Sequence, residues 1–262
     1  MKRTLIFPRY DEFPESLRRF LEKSKVYDSS CSPIARVYYI DKDCGYYLKR
    51  SPKGSLEREA AMTRYFHSKG LSASVVEYLT EGESDWMLTE RVAGEDCTHS
   101  LYLSAPERLC DTLAALLREL HEKDSEGCPV SDRMRTYFST LKNNFSKGEY
   151  DLSYLSPHLS KMTAREAYDY VEANKGAFKS DTLLHGDYCL PNVILNDWQF
   201  SGFIDLDGGG VGDRHIDLFW GAWTLNFNLK TDKYRERFFD AYGRDRVDTD
   251  MIDLVSAAEV FG

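Results

Sequence analysis

An acid, a carboxamide and a second acid stand in the order Asp187, Asn192 and Asp205. Asp187 follows a tight His185-Gly186 turn. Its D-x-x-x-x-N distance to Asn192 is a spacing that phosphoryl-transfer loops use. Asp205 closes the apolar run Phe203-Ile204. Moving a phosphoryl group from a nucleotide needs one group to orient the attacking hydroxyl and take its proton. It also needs oxygen ligands for the metal on the phosphates. Asp187 suits the first task. Asn192 and Asp205 suit the second, because magnesium prefers a few carboxylate or carbonyl oxygens beside phosphates and water. The plainer reading is a turn in which Gly186 supplies backbone freedom and Asp187 a cap. Short β-type runs at Thr182-Leu184, Val193-Leu195 and Phe200-Ile204 frame the loop and weigh against it, since rigid strands commonly present catalytic loops.

Nucleotide phosphates also call for a cation. Lys49 ends the strand-like run Tyr46-Tyr47-Leu48-Lys49, and alternation puts Tyr47 and Lys49 on one face. Such a lysine reaches phosphates while Tyr47 offers a ring to a base; the alternative is a snorkelling surface lysine beside a half-buried tyrosine. A following helix carries Glu57 and Glu59, each able to pair with the lysine and hold it. The segment Ser29-Ser30-Cys31-Ser32-Pro33-Ile34-Ala35 has neither glycine-rich nucleotide signature, although small residues let backbone N–H groups approach phosphate.

Apolar periodicity supplies the elements that must hold these residues. Helical spacing covers Glu12-Lys25 and Gly54-Lys69, the latter closed by Gly70, and strand patterns fall at Ala35-Ile40, Gly45-Lys49, Val75-Thr80 and Asp85-Arg91. Beyond Ala93-Gly94 the pattern turns helical. Pro106-Lys123 has a leucine stripe, and further helices are expected at 131–145, 161–173, 213–225, 233–242 and 248–260. The class expected is α+β and two-lobed: a small β-rich lobe over 1–93 and a larger helical lobe over 94–262 that carries the catalytic loop.

Composition removes other classes. A net charge of −9 over 262 residues argues against sequence-independent nucleic-acid binding, which needs a basic footprint. No apolar stretch approaches the roughly 20 residues of a membrane span, and the start is too weakly apolar for a signal peptide. Six scattered cysteines with no C-x-x-C pair point away from zinc and disulfide frameworks, toward reduced thiols in the cytoplasm. Six histidines without a second acidic cluster disfavour a two-metal phosphoesterase.

Together these residues resemble the aminoglycoside phosphotransferases, most closely the 3'-phosphotransferase (kanamycin kinase) branch, along nearly the whole chain. The resemblance is strongest in His185-Gly186-Asp187-Tyr188-Cys189-Leu190-Pro191-Asn192 and Ser201-Gly202-Phe203-Ile204-Asp205. It implies a protein-kinase-like fold, ATP or GTP with Mg2+, and γ-phosphoryl transfer to a sugar hydroxyl of a cationic antibiotic by a monomer or dimer. Carried over by position, Asp187 resembles the catalytic base, and Asn192 and Asp205 the metal ligands. Lys49 resembles the phosphate lysine held by Glu59, Ser32 the phosphate-loop serine, and Tyr47 the adenine-stacking ring. Glu90 and Val92 match the joint that binds the adenine edge through its backbone. Glu149, Asp151, Glu259, Phe261 and Gly262 with its terminal carboxylate are the expected acceptor contacts.

Two pairs of positions depart from that pattern. Asp207-Gly208 stands where relatives carry Gly-Arg, and Phe227 and Asn228 stand where relatives often present adjacent acids. A kinase of the same fold acting on a sugar, an amino alcohol or a macrolide is the rival expectation, and a nucleotide-binding module without turnover is the next.

Overall fold

The computed structural model describes residues 3–31 and 34–262. Early in the chain come β1 (Thr4–Ile6), α1 (Glu15–Leu21), β2 (Lys25–Asp28), β3 (Arg36–Asp41) and β4 (Tyr46–Pro52). Next are α2 (Glu57–Ser68), β5 (Val75–Glu81), β6 (Ser84–Glu90) and the short β7 (Glu95–Asp96). Six of these strands form one antiparallel sheet in the order β1-β2-β3-β4-β6-β5. Strand alternation sends Ile40, Leu48 and Leu88 to one face, where Phe13, Leu17 and Leu21 bury them. Each such side chain contributes about 1.5–3 kcal/mol over its exposed state. Lys49 belongs to the opposite face.

The expected helix over Glu12-Lys25 is shorter than its pattern. Lys23 takes a left-handed backbone (φ 60°), and Lys25 opens β2 instead. Val26 and Tyr27 find strand partners in Ile40 and Tyr39, so tertiary pairing overrides local helical spacing. Asp85 fixes the start of α2 by accepting the Leu56 N–H at 3.1 Å, and Gly70 (φ 71°) follows its end.

The chain continues through α3 (Ser100–Leu103), α4 (Pro106–His121), α5 (Arg133–Lys147), α6 (Ala164–Asn174) and β8 (Thr182–Leu184). After these come β9 (Val193–Asn196), β10 (Gln199–Phe203), β11 (Gly210–Gly212), α7 (His215–Leu229), α8 (Arg235–Gly243) and α9 (Thr249–Glu259). Leu109, Leu113, Leu117 and Leu120 of α4 are buried, as the stripe requires. None of the described helices is long and apolar enough to cross a membrane.

Two compact units result: Met1–Cys97 with Pro191–Asp207, and Thr98–Leu190 with Gly208–Gly262. The sequence pattern draws one boundary at 93/94, whereas the chain crosses between units three times. Non-local pairing is the reason. The β9–β10 hairpin adds to β7, the Cys97 N–H donates to the Val193 carbonyl at 3.1 Å, and Phe203 donates to the Leu71 carbonyl at 2.8 Å. In the other unit β8 pairs with β11, and α7 packs against α4, α8 and α9.

Candidate active site

In the first unit the Lys49 ammonium lies 2.7 Å from Glu59 Oε2 and 2.9 Å from Asp205 Oδ1. Register explains the choice between the two glutamates. Glu59 is on the buried side of α2 and Glu57 on its exposed side. Burial disfavours the ammonium, but Glu59 and Asp205 outweigh it and hold the Lys49 pKa above its ordinary value. Burial likewise pushes the Glu59 carboxyl up, against the pull of Lys49.

Asp205 adopts a positive φ of 60°, a conformation a side chain rarely takes and one that turns the chain sharply at the end of β10. Its side chain remains 49% exposed. Asn192 is buried, and its carbonyl accepts the Ile204 N–H at 3.0 Å, tying the end of the catalytic loop to the segment before Asp205. A carboxylate and a carboxamide are a hard oxygen donor set, which suits magnesium. Asp207, unexpected from the resemblance, is bound by Arg58 through two bonds of 3.1 and 2.9 Å. Consecutive residues of α2 thus hold this loop, Glu59 through Lys49 and Arg58 through Asp207.

In the second unit, Gly186 sets the turn before Asp187. Its φ is 85°, and a Cβ there would lie 1.8 Å from the Gly208 carbonyl oxygen, so only glycine fits. Asp217, fully buried on α7, accepts the His185 and Gly186 N–H groups at 2.7 Å each, while His121 Nε2 lies 3.1 Å away. Burial works against ionised Asp217, yet these contacts overcome it and lower its pKa; burial holds His121 below its ordinary value, favouring neutral imidazole. Buried Arg133 of α5 donates to the carbonyls of Gly208 and Gly186, the latter at 3.3 Å. Asp187 is half-buried, and its N–H donates to His185 Nδ1 at 3.3 Å, a loop-fixing role for the histidine.

The expected acceptor residues partly gather around the end of α9. Glu259 is buried and accepts the Tyr137 hydroxyl at 2.7 Å. Burial raises its carboxyl to about 7, with Tyr137, Arg133 and Trp220 opposing the rise and Asp187 adding to it. Asp151 donates its N–H to the Val260 carbonyl at 2.8 Å, and its carboxylate caps the Ser153 N–H at 2.9 Å. Glu149 is exposed just after the left-handed Gly148. Phe261 is 1% exposed and packs edge-on to Phe145 and Tyr168, a core position. Gly262 is exposed beside the Glu259 carboxylate.

The remaining predicted nucleotide contacts differ in setting. The Tyr47 hydroxyl accepts from Arg3 at 2.7 Å, and its ring lies 5.3 Å from Tyr39. Glu90 ends β6 opposite Tyr46 and donates its N–H to Ser74, while Val92 packs over Gly202. Ser32 lies outside the described residues. Sequence reasoning missed Arg58, Arg133, His121 and Tyr137; no local motif marks them, because each meets its partner across more than fifty residues.

A buried lysine–glutamate pair in the first unit and a pinned turn before Asp187 in the second are parts that phosphoryl transfer calls for. The chain belongs to the phosphotransferase enzyme family (APH), whose model matches residues 34–252. It is 52% identical over 252 residues to a probable aminoglycoside 3'-phosphotransferase of Lactococcus lactis subsp. lactis (strain IL1403), covering 96% of each chain. A solved aminoglycoside-3'-phosphotransferase of type VIII shares the fold with a TM-score of 0.79 and 23% identity, over 97% of this chain and 99% of its own. The aminoglycoside phosphotransferase APH(3'')-Id from Streptomyces rimosus, solved with ADP and streptomycin, gives 0.72 at 21% identity over 86% and 90%.

Proposed function

We propose that the protein moves the γ-phosphoryl group of ATP or GTP onto a hydroxyl of an aminoglycoside, the 3'-hydroxyl, and thereby inactivates the antibiotic. The observation that carries this reading is the ammonium of Lys49 held between Glu59 and Asp205. That is a fixed cation beside an oxygen ligand, as triphosphate binding requires. Lys49 stabilises charge on the α- and β-phosphates. Asn192 and Asp205 would hold magnesium, which when bound offsets the charge of the β- and γ-phosphates. Asp187 orients the acceptor hydroxyl and takes its proton as the new P–O bond forms and the bond to the nucleoside diphosphate breaks. Exposed Glu149 and buried Glu259 supply negative charge for acceptor amines, with Asp151 shaping the loop between them. The 52% identical relative supports the acceptor class.

A coupled assay of nucleoside diphosphate release across aminoglycosides with and without a 3'-hydroxyl tests this. Turnover confined to those bearing the hydroxyl is the expected result. Turnover only with sugars, amino alcohols or macrolides would move the enzyme to another acceptor within the same fold.

A further inference from the structure

Arg58 is the second residue of α2, and its guanidinium donates to both carboxylate oxygens of Asp207. Nε lies 3.1 Å from Oδ1 and Nη2 2.9 Å from Oδ2, a planar fork that lysine cannot reproduce. The two side chains are 34% and 47% exposed. Ion pairs of this exposure commonly add little to stability, so a decorative surface contact is the plainer reading. What the pair is attached to at each end argues for more.

At one end stands a rigid platform. Asp85 fixes the start of α2, while Ala60, Met62 and Phe66 of that helix are fully buried. The Phe66 ring meets Phe203, at the end of β10, edge-on at 6.3 Å. At the other end is a strained turn. The left-handed backbone of Asp205 (φ 60°) persists only where its surroundings over-determine it. Before it, the Ile204 N–H is tied to the Asn192 carbonyl; after it, Leu206 is fully buried. Asp207 comes next, and Arg58 is its anchor.

Lys49 also holds Asp205, but that ammonium has another task. Its donors must serve Glu59, Asp205 and the phosphates, so a triphosphate competes with Asp205 for it. The Arg58–Asp207 contact shares no group with that competition, and it remains when Lys49 is drawn to phosphate. A different role for Asp207 would be as an extra oxygen ligand for the metal. Both of its oxygens already serve the guanidinium, which leaves little for a cation.

We propose that Arg58 and Asp207 are positioning residues, a clamp that holds Asp205 in its ligand geometry and so sets the affinity for nucleotide with its divalent cation. The inference rests on the phosphotransferase reading and adds which residues outside the ligand set tune the cation. Asp207 is one of the departures from the pattern that the resemblance implies, so the clamp is a device of this chain's own sequence.

Calorimetric titration of the full chain with ADP, once in magnesium and once in EDTA, tests it. Arg58→Gln and Asp207→Asn should each weaken ADP binding in magnesium roughly fivefold and leave binding in EDTA unchanged. The double variant should be no weaker than either single one, because both remove the same contact. Arg58→Lys, which keeps the charge without the fork, should recover only part of the loss. Equal losses with and without magnesium, additive losses, or no loss overturn the clamp. Weaker binding in Asp207→Asn beside tighter binding in Arg58→Gln would make Asp207 a metal ligand, and overturns it too. Wild-type protein whose ADP binding ignores magnesium removes the metal-ligand reading of Asp205 itself, and the clamp with it.

Discussion

The carboxylate of Asp217 accepts the backbone N–H of Gly186 at 2.7 Å, so a buried side chain of α7 fixes the residue before Asp187. A second N–H, from His185, meets the same carboxylate at 2.7 Å. Two charge-assisted bonds in a dry site are each worth about 1.5–3 kcal/mol. Asn at 217 would turn an amide N–H2 toward a backbone donor. Asp217→Asn should lower unfolding free energy by about 2–4 kcal/mol in urea. The native pKa of Asp217 is depressed, so its contribution is present above the ordinary carboxylate range and lost as pH falls through the lowered value. The variant should therefore show a flatter acid limb of stability. An unchanged limb would mean that Asp217 is not the group whose protonation loosens the turn.

Asp187 is expected to act in the chemical step. Asp187→Ala should reduce kcat by roughly 10²–10⁴ with the nucleotide KM and melting temperature nearly unchanged. Turnover equal to wild type would exclude proton acceptance by this carboxylate.

The two glutamates of α2 provide an internal control. Glu59→Gln should raise the nucleotide KM about tenfold, the effect of weakening one charge-assisted bond to Lys49. Glu57→Gln, on the exposed side, should have no effect. Equal effects of the two would show that the 2.7 Å ion pair does not position the lysine.

Glu259 titrates in the neutral range, with its carboxyl raised to about 7. The sign follows from linkage: a raised native pKa stabilises the fold below the ordinary glutamate range, and this contribution is lost as pH rises through about 7. Affinity for a cationic acceptor moves the opposite way, because only ionised Glu259 attracts amines. The acceptor kcat/KM should climb with pH through about 7, and Glu259→Gln should flatten the climb and remove the matching fall in stability. A pH profile shared by both proteins would place the titration elsewhere.

What the sequence revealed was local. The Asp187–Asn192 spacing, the strand ending at Lys49 and the leucine stripe of α4 are patterns of a few adjacent residues, and the structure places them in the elements expected. Glu59 rather than Glu57 needed the rotation of α2 against the sheet. Arg58 with Asp207, and Arg133 with Gly186, are pairs that only tertiary packing brings together. The same holds for β2, which helical spacing concealed until Val26 and Tyr27 found Ile40 and Tyr39. Phe261 is an acceptor contact by the resemblance, but aromatic neighbours from α5 and α6 take it into the core.

The return of Pro191–Asp207 to the first unit has a consequence during synthesis. At ordinary translation rates about 90 intervening residues take roughly 5–20 s to emerge. Throughout that interval β7 waits on the ribosome without its hairpin, and Lys49 without Asp205. The amino-terminal unit is therefore first to begin folding but not first to finish, and a nascent chain stalled before residue 207 should be a substrate for chaperones and proteases rather than a half-made enzyme.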